Sequence, residues 1–217
     1  MRIRTFSLVL LIGFGVLAQT PAPPIDNDQA HVVVAHDEPH KKSALHEHKL
    51  DRVMIYLQAG RQRFTQDGKT TTIQFKAGDV RWSPANGMHT SEIISDNPVT
   101  IVEVEVKKDG DPAKTANSPL DPLKVDPKVY KLEFENSKVR VVRVKMPAGA
   151  KVPLHEHPLN RVVVYLTDQN SSMITQDGKT TTSQHQAGEF SWGLPIKHME
   201  QNNMDHVFEA IAVDFKS

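Results

Sequence analysis

The sequence predicts an all-β protein folded as two small barrels or sandwiches in tandem. A long internal repeat, apolar runs of strand character and Asp-Gly turns carry that expectation. The octapeptide Thr65-Gln66-Asp67-Gly68-Lys69-Thr70-Thr71-Thr72 recurs unchanged as residues 175–182, an offset of 110. Leu45-His46-Glu47-His48 matches Leu154-His155-Glu156-His157 at an offset of 109, as do Arg52 with Arg161, Tyr56-Leu57 with Tyr165-Leu166, and His89 with His198. Ala77-Gly78 matches Ala187-Gly188, and Trp82 matches Trp192, at 110. Elsewhere the halves differ freely, so the chain is a tandem duplication.

Taken in order, residues 1–18 read as an export signal. A short basic stretch carrying Arg2 and Arg4 precedes the apolar run Phe6–Ala18, which is shorter than the roughly 20 residues a membrane span needs. Residues 19–25, with Pro21, Pro23 and Pro24, form a stiff tether. Residues 26–107 make the first repeat. Its segment Arg52-Val53-Met54-Ile55-Tyr56-Leu57 is a short apolar run suited to a barrel or sandwich core, and Asp67-Gly68 is a hairpin turn whose residues tolerate positive φ. Residues 108–128 are polar and Pro-rich and read as the linker. Residues 129–217 make the second repeat. In Val139-Arg140-Val141-Val142-Arg143-Val144-Lys145-Met146 the alternation of a half-buried strand slips once, at Val141-Val142, where a bulge fits. Arg161-Val162-Val163-Val164-Tyr165-Leu166 and Asp177-Gly178 repeat the strand and the turn.

Composition narrows the function. The 217 residues carry 26 basic and 26 acidic side chains, and removal of residues 1–18 takes away two arginines and leaves a net charge of −2. Without a basic excess, nucleic acid and anionic membranes are poor partners. The absence of cysteine excludes disulfides, thiolate metal sites and thiol nucleophiles. Eleven histidines then stand out as the metal-binding or acid–base candidates.

Side chains alternate across a strand, so His46 and His48 share one face while Glu47 faces away, and His155 and His157 do the same around Glu156. A third histidine follows at the same distance in both copies: His89 lies 41 residues after His48, and His198 lies 41 after His157. Three imidazoles suit Fe, Mn, Ni, Cu or Zn and leave coordination positions open. The competing reading is an inherited trio of polar residues at a barrel mouth.

These motifs resemble those of the cupin superfamily, in its two-domain bicupin form. The first cupin motif is matched by His46-Glu47-His48 with Arg52, and by Gly149, His155-Glu156-His157 and Arg161. The second is matched by Gly78, Pro84, Gly87 and His89, and by Gly188, Pro195, His198 and Asn202. The resemblance implies two double-stranded β-helix (jelly-roll) barrels with a divalent transition metal held by His46, His48 and His89 in one and by His155, His157 and His198 in the other. It departs from the family at one slot, where arginine (Arg52, Arg161) replaces the glutamate that completes the ligand set. An arginine there weakens metal binding, turns away to pair with a carboxylate, or clamps an anionic ligand. The inward row would continue through Tyr56 and Tyr165, so these tyrosines and the two arginines are candidate contacts for a small molecule. His31, His36, His40, His185 and His206 have no partner in the other copy; His36 and His40 are the candidates for a supporting role.

Two functions stay open. One is a metal centre acting on or binding a small anionic molecule, with cupin-type oxygenase or isomerase chemistry implied by the resemblance. The other is a non-catalytic periplasmic module that holds a ligand without turnover. Both expect an exported, periplasmic or secreted bacterial protein with a small-molecule partner. Neither expects nucleic acid, or membrane attachment after signal removal, and both allow a homo-oligomer.

Overall fold

The computed structural model describes residues 24–217; the expected export signal and most of the Pro-rich tether lie outside the described residues. The first repeat contributes β1 (Ala30–Asp37), β2 (His46–His48), β3 (Asp51–Tyr56), β4 (Gly60–Gln66), β5 (Lys69–Phe75), β6 (Val80–Ser83), β7 (Asn86–Ile93) and β8 (Val99–Val106). After a short helix, α1 (Pro122–Val125), the second contributes β9 (Tyr130–Glu135), β10 (Val139–Met146), β11 (Lys151–His157), β12 (Arg161–Tyr165), β13 (Gln169–Thr175), β14 (Thr180–His185), β15 (Phe190–Gly193), β16 (Ile196–Asn202) and β17 (Phe208–Phe215).

Each repeat is a jelly-roll barrel of two antiparallel sheets. The first pairs β1-β8-β3-β6 with β2-β7-β4-β5; the second pairs β15-β12-β17-β10-β9 with β11-β16-β13-β14. The orders correspond strand for strand except for β9, which has no equivalent in the first barrel. No helix among the described residues is long and apolar enough to cross a membrane.

The continuous apolar runs of β3 and β12 are explained by burial on both faces. Val53 and Ile55 point out of the first barrel, and Val162 and Val164 out of the second, into one joint core to which the first repeat gives seven buried residues, the preceding Ile25 one and the second repeat eight. Val102, Val104 and Val106 of β8 meet Ile211, Val213 and Phe215 of β17 there. The residues between them point inward: Met54 and Tyr56 fill the first barrel, Tyr165 and half-buried Val163 the second. Trp82 and Trp192 pack against the joint core, so they are interface residues and not site residues.

Local sequence accounts for most turns and irregularities. The ladder between β9 and β10 shifts register between Val141 and Val142, where the alternation slips. The identical octapeptides close differently. Asp67 and Gly68, with φ of 50° and 72°, form a two-residue turn that keeps Gln66 paired with Lys69. In the second copy only Gly178 has positive φ, at 82°, and Thr175 N donates to Lys179 O at 2.9 Å across a three-residue loop. The cause is tertiary. Gln66 exchanges two amide hydrogen bonds with Asn86, at 2.9 and 2.7 Å. The residue at the matching position in the second copy is Ile196, which offers Gln176 no amide.

The segment 108–128 is more than a tether. Ala116 and Asp121 are buried, and Asp121 caps α1 at Leu123 N while accepting from Arg140 Nη2 at 2.6 Å. Glu156 N donates to Leu120 O, so this stretch is fastened to β11.

Because both barrels bury part of themselves in one core, they should unfold together. Ile55→Ala should cost about 2–5 kcal/mol and lower a single calorimetric transition. Two separate transitions, with only one displaced, would contradict the shared core.

Candidate metal centres

Each trio is assembled by one ladder. In the first barrel His46 lies opposite His89 across β2–β7; in the second, His155 lies opposite His198 across β11–β16. His48 and His157 follow two residues on and share the face. The ring centroids are 5.0, 4.5 and 5.4 Å apart in the first trio and 5.0, 4.4 and 5.5 Å in the second. In each trio the nitrogens all lie within 4.8 Å of one another. Small side-chain movements would reach the ~3 Å separation implied by metal–nitrogen bonds of about 2.1 Å.

Backbone carbonyls fix several tautomers. His46 Nδ1 donates to Ala44 O at 2.8 Å, His89 Nδ1 to Gly87 O at 3.1 Å and His155 Nδ1 to Pro153 O at 2.9 Å. A nitrogen facing a carbonyl must carry the proton, which leaves the lone pair on Nε2, as in metal-ligating histidines oriented from behind. Both ring nitrogens of His198 are buried without a hydrogen-bond partner. A buried imidazole with two orphaned nitrogens is costly unless something binds it. These residues fit a divalent transition ion.

Electrostatics keeps the trios neutral. Burial, reinforced by Arg52 and neighbouring histidines, lowers His48 to about 4, and burial with His155 and Arg161 lowers His198 to about 3. Burial also lowers His89 and His155, and holds His157 well below the usual imidazole range.

The arginines diverge. Arg52 is 4% exposed and pairs with Glu103, Nε to Oε2 at 3.1 Å; the same oxygen lies 3.8 Å from His48 Nδ1. At the position matching Glu103, the second barrel has Ala212. Arg161 Nη1 donates to Leu194 O at 2.9 Å, and no carboxylate among the described residues lies within ion-pair distance of it. Its side chain lies across Gly193, where a Cβ would meet Arg161 Cγ and Cζ at 3.0 Å. In the first barrel Ser83 is opposite Arg52. A glycine on one strand and a lost acid on another therefore leave Arg161 lying at the cavity.

That cavity, of about 80 Å³, is lined by His157, His198, Arg161, Tyr165 and, on the deeper side, Gln169 and Glu200. The first barrel's is wider, about 190 Å³, with Arg52, Phe64, Gln66 and His89 in its wall. Tyr165 Oη hydrogen-bonds Ser191 Oγ at 2.9 Å and its ring stacks on His185 at 3.9 Å. Tyr56 does not reach the corresponding place, and the expectation of a ligand contact there is corrected. It is fully buried and stacked on Phe75 at 4.0 Å, because Phe75 and Ile101 close the core around it. His36 and His40 are exposed beside Thr100 and Asp96 and support neither trio.

Three residues escaped the sequence reading. Tyr130, on the added strand β9, places Oη 3.1 Å from His155 Nε2 and is buried. Glu200, two residues after His198, shares its inward face; its carboxyl is raised by burial against Ser171, Arg161 and Gln169. Its counterpart Ser91 carries no charge. Glu103 is the acid that takes up Arg52. Tyr130 has no counterpart in the other copy and Glu200 is matched by a serine, so the repeat could not flag them. Alternation along the strand after His198 was the one available sign of Glu200.

No protein-family model matches the chain, and no curated protein sequence does. Its fold is shared with solved structures. AerE from Microcystis aeruginosa is 13% identical, with a TM-score of 0.63 over 91% of this chain and 98% of its own. The oxalate decarboxylase of Bacillus subtilis is 14% identical over 88% of this chain and 68% of its own, with a TM-score of 0.60. The Lactobacillus farciminis oxalate decarboxylase is 16% identical over 88% and 78%, at 0.59. A cupin domain from Bordetella pertussis, 24% identical, overlaps 41% of this chain and 93% of its own at 0.39. The AerE and oxalate decarboxylase alignments agree with two jelly-roll barrels in tandem.

Buried histidines make the metal-free protein acid-sensitive. Above their unfolded value of 6.5 both states are neutral; below it the unfolded chain takes up protons that folded His48 and His198 refuse down to about 4 and about 3. Stability in chelator should fall across that window, and His198→Gln should flatten the slope. Equal slopes in urea titrations of both proteins would contradict the neutral trio.

Proposed function

We propose that this chain is a metal-binding bicupin whose second barrel binds a small carboxylate-bearing anion against a divalent transition ion. The observation that carries this reading is a neutral three-histidine cluster beside Arg161, an arginine that Asp214 and Glu200 attract only from beyond ion-pair distance. A buried or half-buried guanidinium facing a polar cavity favours an anion that accepts its forked N–H groups. The orphaned nitrogens of His198 favour an ion. One fold neighbour, the Bacillus subtilis oxalate decarboxylase, has Mn(II) centres, which is consistent with a hard divalent ion on such a scaffold.

His155, His157 and His198 would hold the ion through neutral nitrogens and leave its charge unbalanced. A bound ion would act as a Lewis acid toward an oxygen of the anion. Arg161 orients the second oxygen, and the small apolar-walled space around Val163, Met173 and Phe208 excludes bulky molecules. The same charge logic accounts for the missing glutamate, since an incoming carboxylate takes the place a protein carboxylate would have neutralised. In the first barrel the Arg52–Glu103 pair favours the non-catalytic alternative, a centre that holds metal without a free cation for a ligand. We place the protein outside the cytoplasm on the strength of its N-terminal residues.

Metal analysis of the untagged protein should return up to two transition ions per chain. His46→Ala should remove one, His155→Ala the other; a chain that takes up no Fe, Mn, Ni, Cu or Zn would sink the reading. Arg161→Ala should weaken acetate binding to the metal-loaded protein about tenfold or more, whereas Arg52→Ala should leave it within about twofold. Isothermal titration reads both.

A further inference from the structure

Tyr130 separates the two centres more sharply than any ligand does. It enters on β9, the strand without a counterpart, and its ring packs with Val144 and Phe208 inside the second barrel. Its hydroxyl lies 3.1 Å from His155 Nε2. Because His155 Nδ1–H is committed to Pro153 O, Nε2 carries the lone pair and Tyr130 O–H is the donor. That lone pair is the one a metal ion needs. An ion at the trio therefore deprives the hydroxyl of its acceptor, and the residue is buried with only 2% of its surface exposed. A buried hydroxyl left without an acceptor is costly, so it must turn to another. Tyr130 also lines the cavity shared by His157, His198, Arg161 and Glu200, where an anion's oxygen would compete with the Glu200 carboxyl as its acceptor.

We propose that Tyr130 is a positioning residue of the second centre: its hydroxyl occupies His155 Nε2 when no ion is bound and donates to an oxygen of the bound carboxylate when one is. This deepens the reading above and rests on it. Arg161 and Tyr130 then hold the carboxylate from two directions, which selects a compact anion with both oxygens free and disfavours esters and amides. Among the described residues of the first barrel the hydroxyl near His46, Ser43 Oγ, lies on its Nδ1 side at 3.4 Å and not at Nε2, so that centre has no equivalent selection.

The test uses the His46→Ala chain, which keeps the second centre alone, loaded with Co(II) and titrated with acetate through its visible spectrum. Tyr130→Phe should tighten Co(II) binding severalfold, because the competing hydrogen bond is gone. It should also weaken acetate about tenfold, because the donor to the anion is gone. Opposite movement of the two constants is the signature, since simple damage to the barrel would weaken both. Tyr130→Met, which lacks the hydroxyl but fills similar space, should repeat the pattern. An acetate affinity unchanged in both variants, or both constants weakened together, overturns the role of Tyr130 and leaves the metal reading standing. No Co(II) uptake by the His46→Ala chain overturns both.

Discussion

The outward faces of β3 and β8 press against those of β12 and β17, and the rest of the molecule is arranged around that contact. Once Val53 and Ile55, and Val162 and Val164, are committed to the joint core, the side-chain period of two leaves no freedom for the residues between them. Arg52, Met54 and Tyr56 must face into one barrel, and Arg161, Val163 and Tyr165 into the other. The opposing sheet of each barrel then meets this inward row with its histidines. Register, and not any single strong bond, brings one nitrogen from each of three imidazoles within 4.8 Å twice over.

On this shared frame the two sites have been made different by a few changes. Glu103 in the first barrel corresponds to Ala212 in the second, Ser83 to Gly193, and Ser91 to Glu200. Each change alters charge or room near the same arginine. The outcome is one arginine in a close ion pair with Glu103 and one beside a small cavity, with Asp214 and Glu200 attracting it from beyond ion-pair distance. A guanidinium left without a close partner favours a ligand that supplies one. Duplication thus preserved the metal ligands while letting the surrounding electrostatics separate.

The octapeptides make the same point about backbone. Eight identical residues form a two-residue turn in one copy and a three-residue loop in the other. The Gln66–Asn86 amide pair is present in only one copy, and it decides the register. Hairpin propensity sets where a turn occurs; contacts from a distant strand choose which turn it is.

The sequence by itself determined the duplication, the all-β class, both strand–turn frames and the six histidines, because repeated spacing and alternation are local and survive without coordinates. Tertiary structure decided the rest. It showed that Tyr56 is core, that Arg52 has Glu103, that Arg161 has Gly193 beneath it and no acid within ion-pair distance, and that Leu120 and Asp121 are fastened to β11 and Arg140. These depend on pairs far apart in the chain, and no local pattern encodes them. Tyr130 is the clearest case. Twenty-five residues separate it from His155, it lies on a strand the first repeat lacks, and only that added strand brings its hydroxyl to the ligand nitrogen.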